Sequence, residues 1–276
     1  MDKRNLAEGT RRFRRIELCD VIGGAAASAL WKKRRRPQAV SQYGYSPCRQ
    51  HLHAVLALRL QLWFLRSQRR HGVAVFFDAT NAFPSVAWHA LDAATNISDE
   101  PDDGVLLWHR YHRAGTVIGD ADGFSVILRS QQGDRQGDGP AAQRFTLAYD
   151  AVLELWCSAT MSEDDLNYMS RRDPWSECWR PPVHIQMADD TARVVTAASP
   201  ELLAERVHDL VHSLAAATAS LSIEQNVKKL QILVSLQHCT AVLQQRLQLS
   251  LARFGLSANV TDVAIHLGCI HQSNGS

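Results

Sequence analysis

The most constraining stretch of the chain is Val183-His184-Ile185-Gln186-Met187-Ala188-Asp189-Asp190-Thr191-Ala192-Arg193-Val194-Val195. Val183, Ile185 and Met187 alternate with His184, Gln186 and Ala188, and that period of two predicts a half-buried strand. The chain turns apolar again through Ala192, Val194 and Val195, so the segment reads as a hairpin with two acids at its tip. Hairpin tips favour Asn-Gly or Asp-Gly, which accept positive φ. Two adjacent ionised carboxylates repel, and a divalent cation with oxygen ligands relieves that repulsion best. Asp-Asp occurs three times, at 102–103, 164–165 and 189–190, and only the last pair lies between strand-like flanks. The plain alternative is an exposed turn that happens to be acidic.

A metal site for phosphoryl chemistry needs a further carboxylate from a neighbouring strand. Val73-Ala74-Val75-Phe76-Phe77-Asp78 is a short apolar run ending in an acid, with Gly72 before it and turn-forming residues from Asn81 to Pro84 after it. Taken alone, an Asp at a strand end more often caps the next helix. The order of motifs carries more weight. Asp78 with Phe83 five residues on, Arg135-Gln136-Gly137, Ala188-Asp189-Asp190, Asn226-Val227-Lys228-Lys229 and Leu267-Gly268 succeed one another along the chain.

That order resembles the palm motifs of reverse transcriptases, particularly those of retrotransposons without long terminal repeats and related mobile elements. It covers roughly residues 11 to 270. The resemblance implies an α+β fold: a right-hand polymerase palm, a ferredoxin-like antiparallel sheet backed by helices, with partial fingers and a thumb absent or truncated. Residues 1–72 would be a basic fingers portion with a helix leading to the palm. Residues 73–276 would be the palm, with a fingers insertion at about 85–130 and another insertion at about 160–182.

The implied activity is RNA-directed DNA synthesis, a nucleotidyl transfer. Its partners would be an RNA template, a DNA primer and deoxynucleoside triphosphates. Asp78 and Asp189 would bridge two magnesium ions, with manganese a possible substitute and Asp190 completing the negative field; such ions sit about 3.5–4 Å apart. Lys229 would approach the triphosphate and could protonate the leaving group. Phe83 would stack under the sugar and exclude a 2′-hydroxyl. Arg14 would lie near the incoming triphosphate, and Gln136 and Gly137 against the nascent base pair. Some positions depart from the family. Arg14-Arg15-Ile16 lacks the usual proline, Gly24 stands where a Lys is common, Gly139 replaces a Pro, and Ala142-Gln143-Arg144 replaces an apolar stretch. One alternative is a decayed or repurposed remnant that binds nucleic acid without catalysis. Another is an unrelated α+β domain with a fortuitous acidic hairpin.

Charge is distributed unevenly. Residues 1–72 hold 16 Lys+Arg against 4 Asp+Glu, and the other 204 hold 14 against 24, so balances of +12 and −10 underlie the net +2. A basic part beside an acidic one suits a protein that grips a polyanion and collects cations; the alternative is a solvated basic arm. The run Lys32 to Arg36 reads equally as a nuclear-import signal, a phosphate-gripping patch or an exposed helix face. Six cysteines form no C-x-x-C pair, so neither zinc nor a disulfide framework is expected, and a reducing compartment is the default. No signal peptide and no membrane-spanning run is found, so an intracellular chain is expected, in nucleus or cytoplasm.

The remaining pattern supplies scaffolding. Gln42-Tyr43-Gly44-Tyr45, a sequence by which the family also approaches its palm, leads into a helix over Cys48 to Arg70. Leu52, Val55, Leu56, Leu60, Trp63 and Phe64 recur there at helical spacing and are expected in the core, with Gly72 ending the helix. Trp88, Leu91, Leu106, Leu107 and Trp108 are further core candidates, in helical pieces divided by a solvated loop at 98–103. Residues 116–118 and 124–128 flank Asp122-Gly123, a hairpin signal. Gly137 and Gly139 would let backbone approach a ligand, and Pro140 would open a helix bearing Phe145, Tyr149, Val152, Leu153 and Trp156. Ser199-Pro200 starts another, with Leu203, Val207, Leu210, Val211 and Leu214 on its buried face. Residues 221–226 and 230–234 fit a turn and a strand carrying Lys229, and Val263 to Ile270 a last short hairpin.

Overall fold

The computed structural model describes residues 2–4, 11–13, 21–33, 39–68, 71–96, 101–113, 116–119, 125–129, 131–134, 138–172, 177, 179–180, 184–235, 240–267 and 269–272. In chain order, β1 (Asp2–Arg4) and β2 (Arg11–Phe13) precede α1 (Val21–Lys33) and α2 (His51–Ser67). The strands β3 (His71–Phe77) and β4 (Ala79–Thr80) come next, then α3 (Ala82–Ser85), α4 (Trp88–Asn96) and α5 (Pro101–His112). After these come β5 (Thr116–Gly119), β6 (Ser125–Leu128), α6 (Ala141–Ala159), α7 (Glu163–Met169), β7 (Arg171–Arg172) and β8 (Trp179–Arg180). The rest comprises β9 (Ile185–Met187), β10 (Asp190–Ala197), α8 (Pro200–Ala219), β11 (Glu224–Gln225), β12 (Gln231–Val234), α9 (Thr240–Arg253), β13 (Asn259–Thr261), β14 (Val263–His266) and β15 (Cys269–Gln272).

The chain divides into two compact units. One comprises Met1–Pro37 and Phe83–Ala148, the other Gln38–Ala82 and Tyr149–Ser276. The second unit is built on a five-stranded sheet in the order β13-β12-β3-β10-β9. β3 lies at its centre because six of its seven residues are buried, which only a strand covered on both faces sustains. β10 pairs with it antiparallel, Thr191 opposite Phe77 and Ala197 opposite His71, and β12 pairs antiparallel on its other side. β12 and β13, however, run parallel, because α9 carries the chain from one to the other as a crossover. The sheet is therefore mixed, which corrects the antiparallel sheet expected from sequence.

Helix α8 starts where Ser199 Oγ accepts a hydrogen bond from Leu202 N–H at 3.2 Å, with Pro200 in its first turn. Leu203, Val207, Leu210, Val211 and Leu214 are buried along it, as their spacing predicts. The buried face of α2 is Ala54, Val55, Leu58, Leu62 and Leu65. Leu52, Leu56, Leu60 and Trp63 point outward, at 52%, 48%, 63% and 62% exposure, which reverses the sequence expectation for those four. Apolar residues occur on every face of this helix, so spacing alone does not choose the stripe that packs. α2 also ends at Ser67 rather than at Gly72. Gly72 lies inside β3, where an added Cβ would come within 2.6 Å of the Leu65 methyls.

In the first unit, Leu91 is buried as expected, while Leu106 and Trp108 are exposed on α5. The acids Asp102 and Asp103 lie in that helix's first turn, not in a loop, because Pro101 opens it. β5 and β6 form the expected hairpin, though its turn at Asp122-Gly123 lies outside the described residues. Phe145 and Tyr149, Leu153 and Trp156 are all buried on α6, which begins directly after Pro140. Among the described residues no helix is long and apolar enough to cross a membrane.

Candidate active site

The acidic hairpin is built as its alternation predicts. β9 and β10 pair with Asp190 opposite Met187, leaving Ala188 and Asp189 as a two-residue turn. The positive φ that such a turn demands falls on Ala188, at 62°. A non-glycine residue there is strained, by roughly 1 kcal/mol. β10 then enters the sheet beside β3. Extending the Thr191–Phe77 register by one step sets Asp190 across from Asp78, the first residue past β3.

Asp78 is held from the other side by the Asn226-x-x-Lys229 segment. Asn226 N–H donates to the Asp78 carbonyl at 2.8 Å, and its side-chain amide donates to Asp78 Oδ2 at 3.2 Å. Residues 227–229 form one turn of 3-10 helix, and that turn brings Lys229 round to the same carboxylate. Its Nζ lies 3.0 Å from Oδ2 and 3.2 Å from Oδ1. The spacing of three between Asn and Lys is thus one helical turn with both donors aimed at one acid.

The electrostatics bind the group together. Burial pushes the Asp190 carboxyl up to about 6; the negative charges of Asp189 and Asp78 push it the same way, and Lys229 opposes them. Tyr149, beneath the hairpin, is pushed up to about 12 by burial. Hydrogen bonds with Thr191 and Gln225 oppose that shift, and the charges of Asp189 and Asp190 add to it. Tyr45 is raised by burial and by the charge of Asp189. Asp78, Asp189, Asp190 and Lys229 are therefore electrostatic neighbours drawn from three separate parts of the chain.

The donor chemistry suits a hard divalent cation: oxygen ligands only, several negative charges, and one acid whose ionisation its neighbours oppose. Among the described residues, no group of three or more His, Cys, Asp or Glu side chains stands arranged to hold a metal ion. The ammonium of Lys229 pairs with the Asp78 carboxylate at 3.0 Å.

Phe83 belongs to the first unit, where its ring stacks on Phe145 with centroids 4.1 Å apart. Arg14, Gln136, Gly137 and Gly268 lie outside the described residues, as do residues 34–36 of the basic run. The flanks of Gln136 are described: Arg144 donates to both carboxylate oxygens of Asp134 at 3.0 Å, and Arg110 Nε donates to Asp138 Oδ2 at 3.0 Å. Arg144, which departs from the family pattern, is thus the anchor of Asp134. Gly139 packs close to Ser28 of α1, whose Oγ lies 2.4 Å from where a Cβ would be.

Two residues that motif reading gave no role support the hairpin from beneath, Gln42 and Asp150. Gln42 is fully buried, and its Nε2 donates to Asp150 Oδ1 at 3.0 Å. The signal in the sequence was Gln42-Tyr43-Gly44; its partners lie more than a hundred residues away.

Comparison with protein-family models and with curated proteins gives no match to the sequence. Comparison with solved structures finds telomerases. Apo telomerase from Candida tropicalis, truncated of its C-terminal domain, matches over 92% of this chain and 44% of that one, with a TM-score of 0.56 and 10% identity. Telomerase from Candida albicans, in complex with a fragment of telomeric RNA, matches over 92% of this chain and 37% of its own, with a TM-score of 0.55 and 12% identity. Another apo telomerase structure from Candida tropicalis gives 0.53 at 11% identity, over 92% of this chain and 39% of that one. The chain spans less than half the length of these relatives. At such identities the likeness is one of fold, shared with telomerases, whose catalytic subunits contain a reverse-transcriptase fold.

Proposed function

We propose that the chain is the palm-bearing part of an RNA-directed DNA polymerase, extending a DNA primer on an RNA template, of the mobile-element type whose motif order it resembles. On this reading the five-stranded sheet is the palm, and the first unit supplies fingers. The observation that carries the proposal is the meeting of Asp78, Asp190 and Lys229 at adjoining ends of β3, β10 and the 227–229 turn. The polymerase-like fold supports it, since telomerases also make DNA on RNA.

Asp78, Asp189 and Asp190 would hold magnesium, with manganese as a substitute. Bound divalent cations supply positive charge that activates an attacking hydroxyl and neutralises a departing pyrophosphate. The chain's own part is positional. Asn226 fixes the Asp78 backbone and carboxylate, β10 carries Asp190 alongside, and Lys229 holds an exchangeable proton at the carboxylate edge. Phe83 would exclude a 2′-hydroxyl, favouring deoxynucleotides.

Primer extension on an RNA template with magnesium tests the proposal. Wild type should incorporate deoxynucleotides, and Asp189→Asn should abolish incorporation; extension that survives the substitution sinks the assignment. A second reading, a remnant that binds nucleic acid without catalysis, is favoured by the Lys229–Asp78 ion pair, which neutralises part of the acidic cluster from within. Salt-sensitive RNA binding with no metal-dependent extension would establish it instead.

A further inference from the structure

We infer that Gln42 is the positioning residue of the Asp189–Asp190 turn, clasping it through the backbone of Ala188. The inference rests on the proposed role of those two acids, and its structural half can be tested without that role.

The segment before α2 runs alongside β9. Gln186 N–H donates to the Ser41 carbonyl at 3.0 Å, and Tyr43 N–H donates to the Gln186 carbonyl at 2.8 Å, so Gln42 enters beneath the hairpin at a fixed register. Its side chain then uses both ends. Oε1 accepts from Gly44 N–H at 2.7 Å and from Ala188 N–H at 3.1 Å. Nε2 donates to Asp150 at 3.0 Å and reaches the Ala188 carbonyl at 3.4 Å. An amide offers one acceptor atom and two donor hydrogens, so this is close to its full capacity. Both backbone groups of the residue preceding Asp189 are therefore held by a side chain 146 positions earlier.

Three further features show that the clasp is built. Ala188 sits at φ 62°, a conformation it keeps only while its surroundings hold it. Gly44 leaves the necessary space, since a Cβ there would lie 2.4 Å from Ala188 N. Asp150 and Gln42 are both buried, so the amide cannot turn to solvent for its bonds. Gln42 touches the backbone of the turn and no reacting atom. It acts by setting where the two carboxylates point, and small misplacements of catalytic groups are costly.

The test compares wild type, Gln42→Leu, Asp189→Asn and the double variant Gln42→Glu/Asp150→Asn. The double variant exchanges donor and acceptor between the two side chains while keeping an acceptor for Ala188 N–H. Amide hydrogen exchange at Ala188 should quicken about tenfold or more in Gln42→Leu and return toward the wild-type rate in the double variant. Unchanged exchange in Gln42→Leu overturns the clasp. In primer extension, Gln42→Leu should lower kcat about tenfold or more and raise the half-saturating magnesium concentration, while KM for the nucleotide moves less than about threefold. Faster exchange with unaltered kcat and magnesium dependence overturns the positioning role. If wild type extends no primer while Asp189→Asn is equally inert, the polymerase reading fails, and the exchange rates still decide whether Gln42 sets the turn. If Gln42→Leu does not fold, a folded double variant with wild-type exchange at Ala188 supports the clasp, and one with rapid exchange overturns it.

Discussion

Lys229 sets its ammonium 3.0 and 3.2 Å from the two carboxylate oxygens of Asp78, a residue 151 positions earlier. Asn226 approaches the same carboxylate from one helical turn away. A resident cation therefore already balances the first acid of the cluster.

Removing that cation should free the acid for a metal. Lys229→Ala is expected to bind manganese several-fold more tightly than wild type, read by the loss of the free-ion paramagnetic resonance signal on titration. Because Lys229 is 57% exposed, the stability change should stay within about 1 kcal/mol. Equal or weaker manganese binding would show that the ion pair does not compete with a cation.

Gly44 makes a second prediction. Gly44→Ala would drive a Cβ to 2.4 Å from Ala188 N, and backbone cannot yield as a flexible side chain does. Overpacking of this kind costs about 1–3 kcal/mol. Extension should fall more than stability, since the displaced atom adjoins Asp189; thermal unfolding beside primer extension separates the two effects.

Arg144 makes a third. Its guanidinium is 1% exposed, bonds both oxygens of Asp134, and lies 3.8 Å over the Tyr111 ring. Arg144→Met should destabilise by about 3–5 kcal/mol, because a buried carboxylate loses its counter-charge. Arg144→Met/Asp134→Leu should recover much of that loss in urea unfolding. No recovery would mean that the stacking on Tyr111 dominates.

The fourth concerns pH. Burial lowers His184 to about 4, below its ordinary 6.5, so the native state resists protonation that the unfolded chain accepts. The stability tied to His184 is present above about 6.5 and is lost as pH falls toward 4, by roughly 3 kcal/mol. Asp150, pushed up to about 6 by burial, works oppositely: its contribution is full below 3.8 and is lost as pH rises through 6. The two nearly offset one another. Asp190, raised like Asp150, offsets the histidine too, so relative to wild type Asp150→Asn should lose stability as pH falls from 6.5 to 4. A slope equal to that of wild type would refute this assignment.

Much of the candidate site was legible because its signals are local. An apolar run ending at Asp78, alternation before Asp189 and a three-residue spacing to Lys229 each reflect one strand or one turn. The face of α2 was illegible for the opposite reason: Leu52, Leu56, Leu60 and Trp63 offer as regular a stripe as Ala54, Leu58, Leu62 and Leu65. Only the neighbouring sheet chooses between them. The parallel pairing of β12 with β13 depends on where α9 returns the chain, and the Gln42 clasp on a partner 146 residues away. Neither leaves a periodic trace.

The central position of β3 has a consequence for how the protein is made. Its antiparallel neighbours are β10 and β12, whose residues leave the ribosome more than a hundred positions later. Until then a nearly all-apolar strand carries two unsatisfied edges, a state prone to wrong partners. Contacts this distant in sequence form slowly. Newly made chains should therefore depend on a chaperone or on slow elongation until about residue 234 has emerged, and the Asp78 carboxylate gains its neighbours only at that late stage.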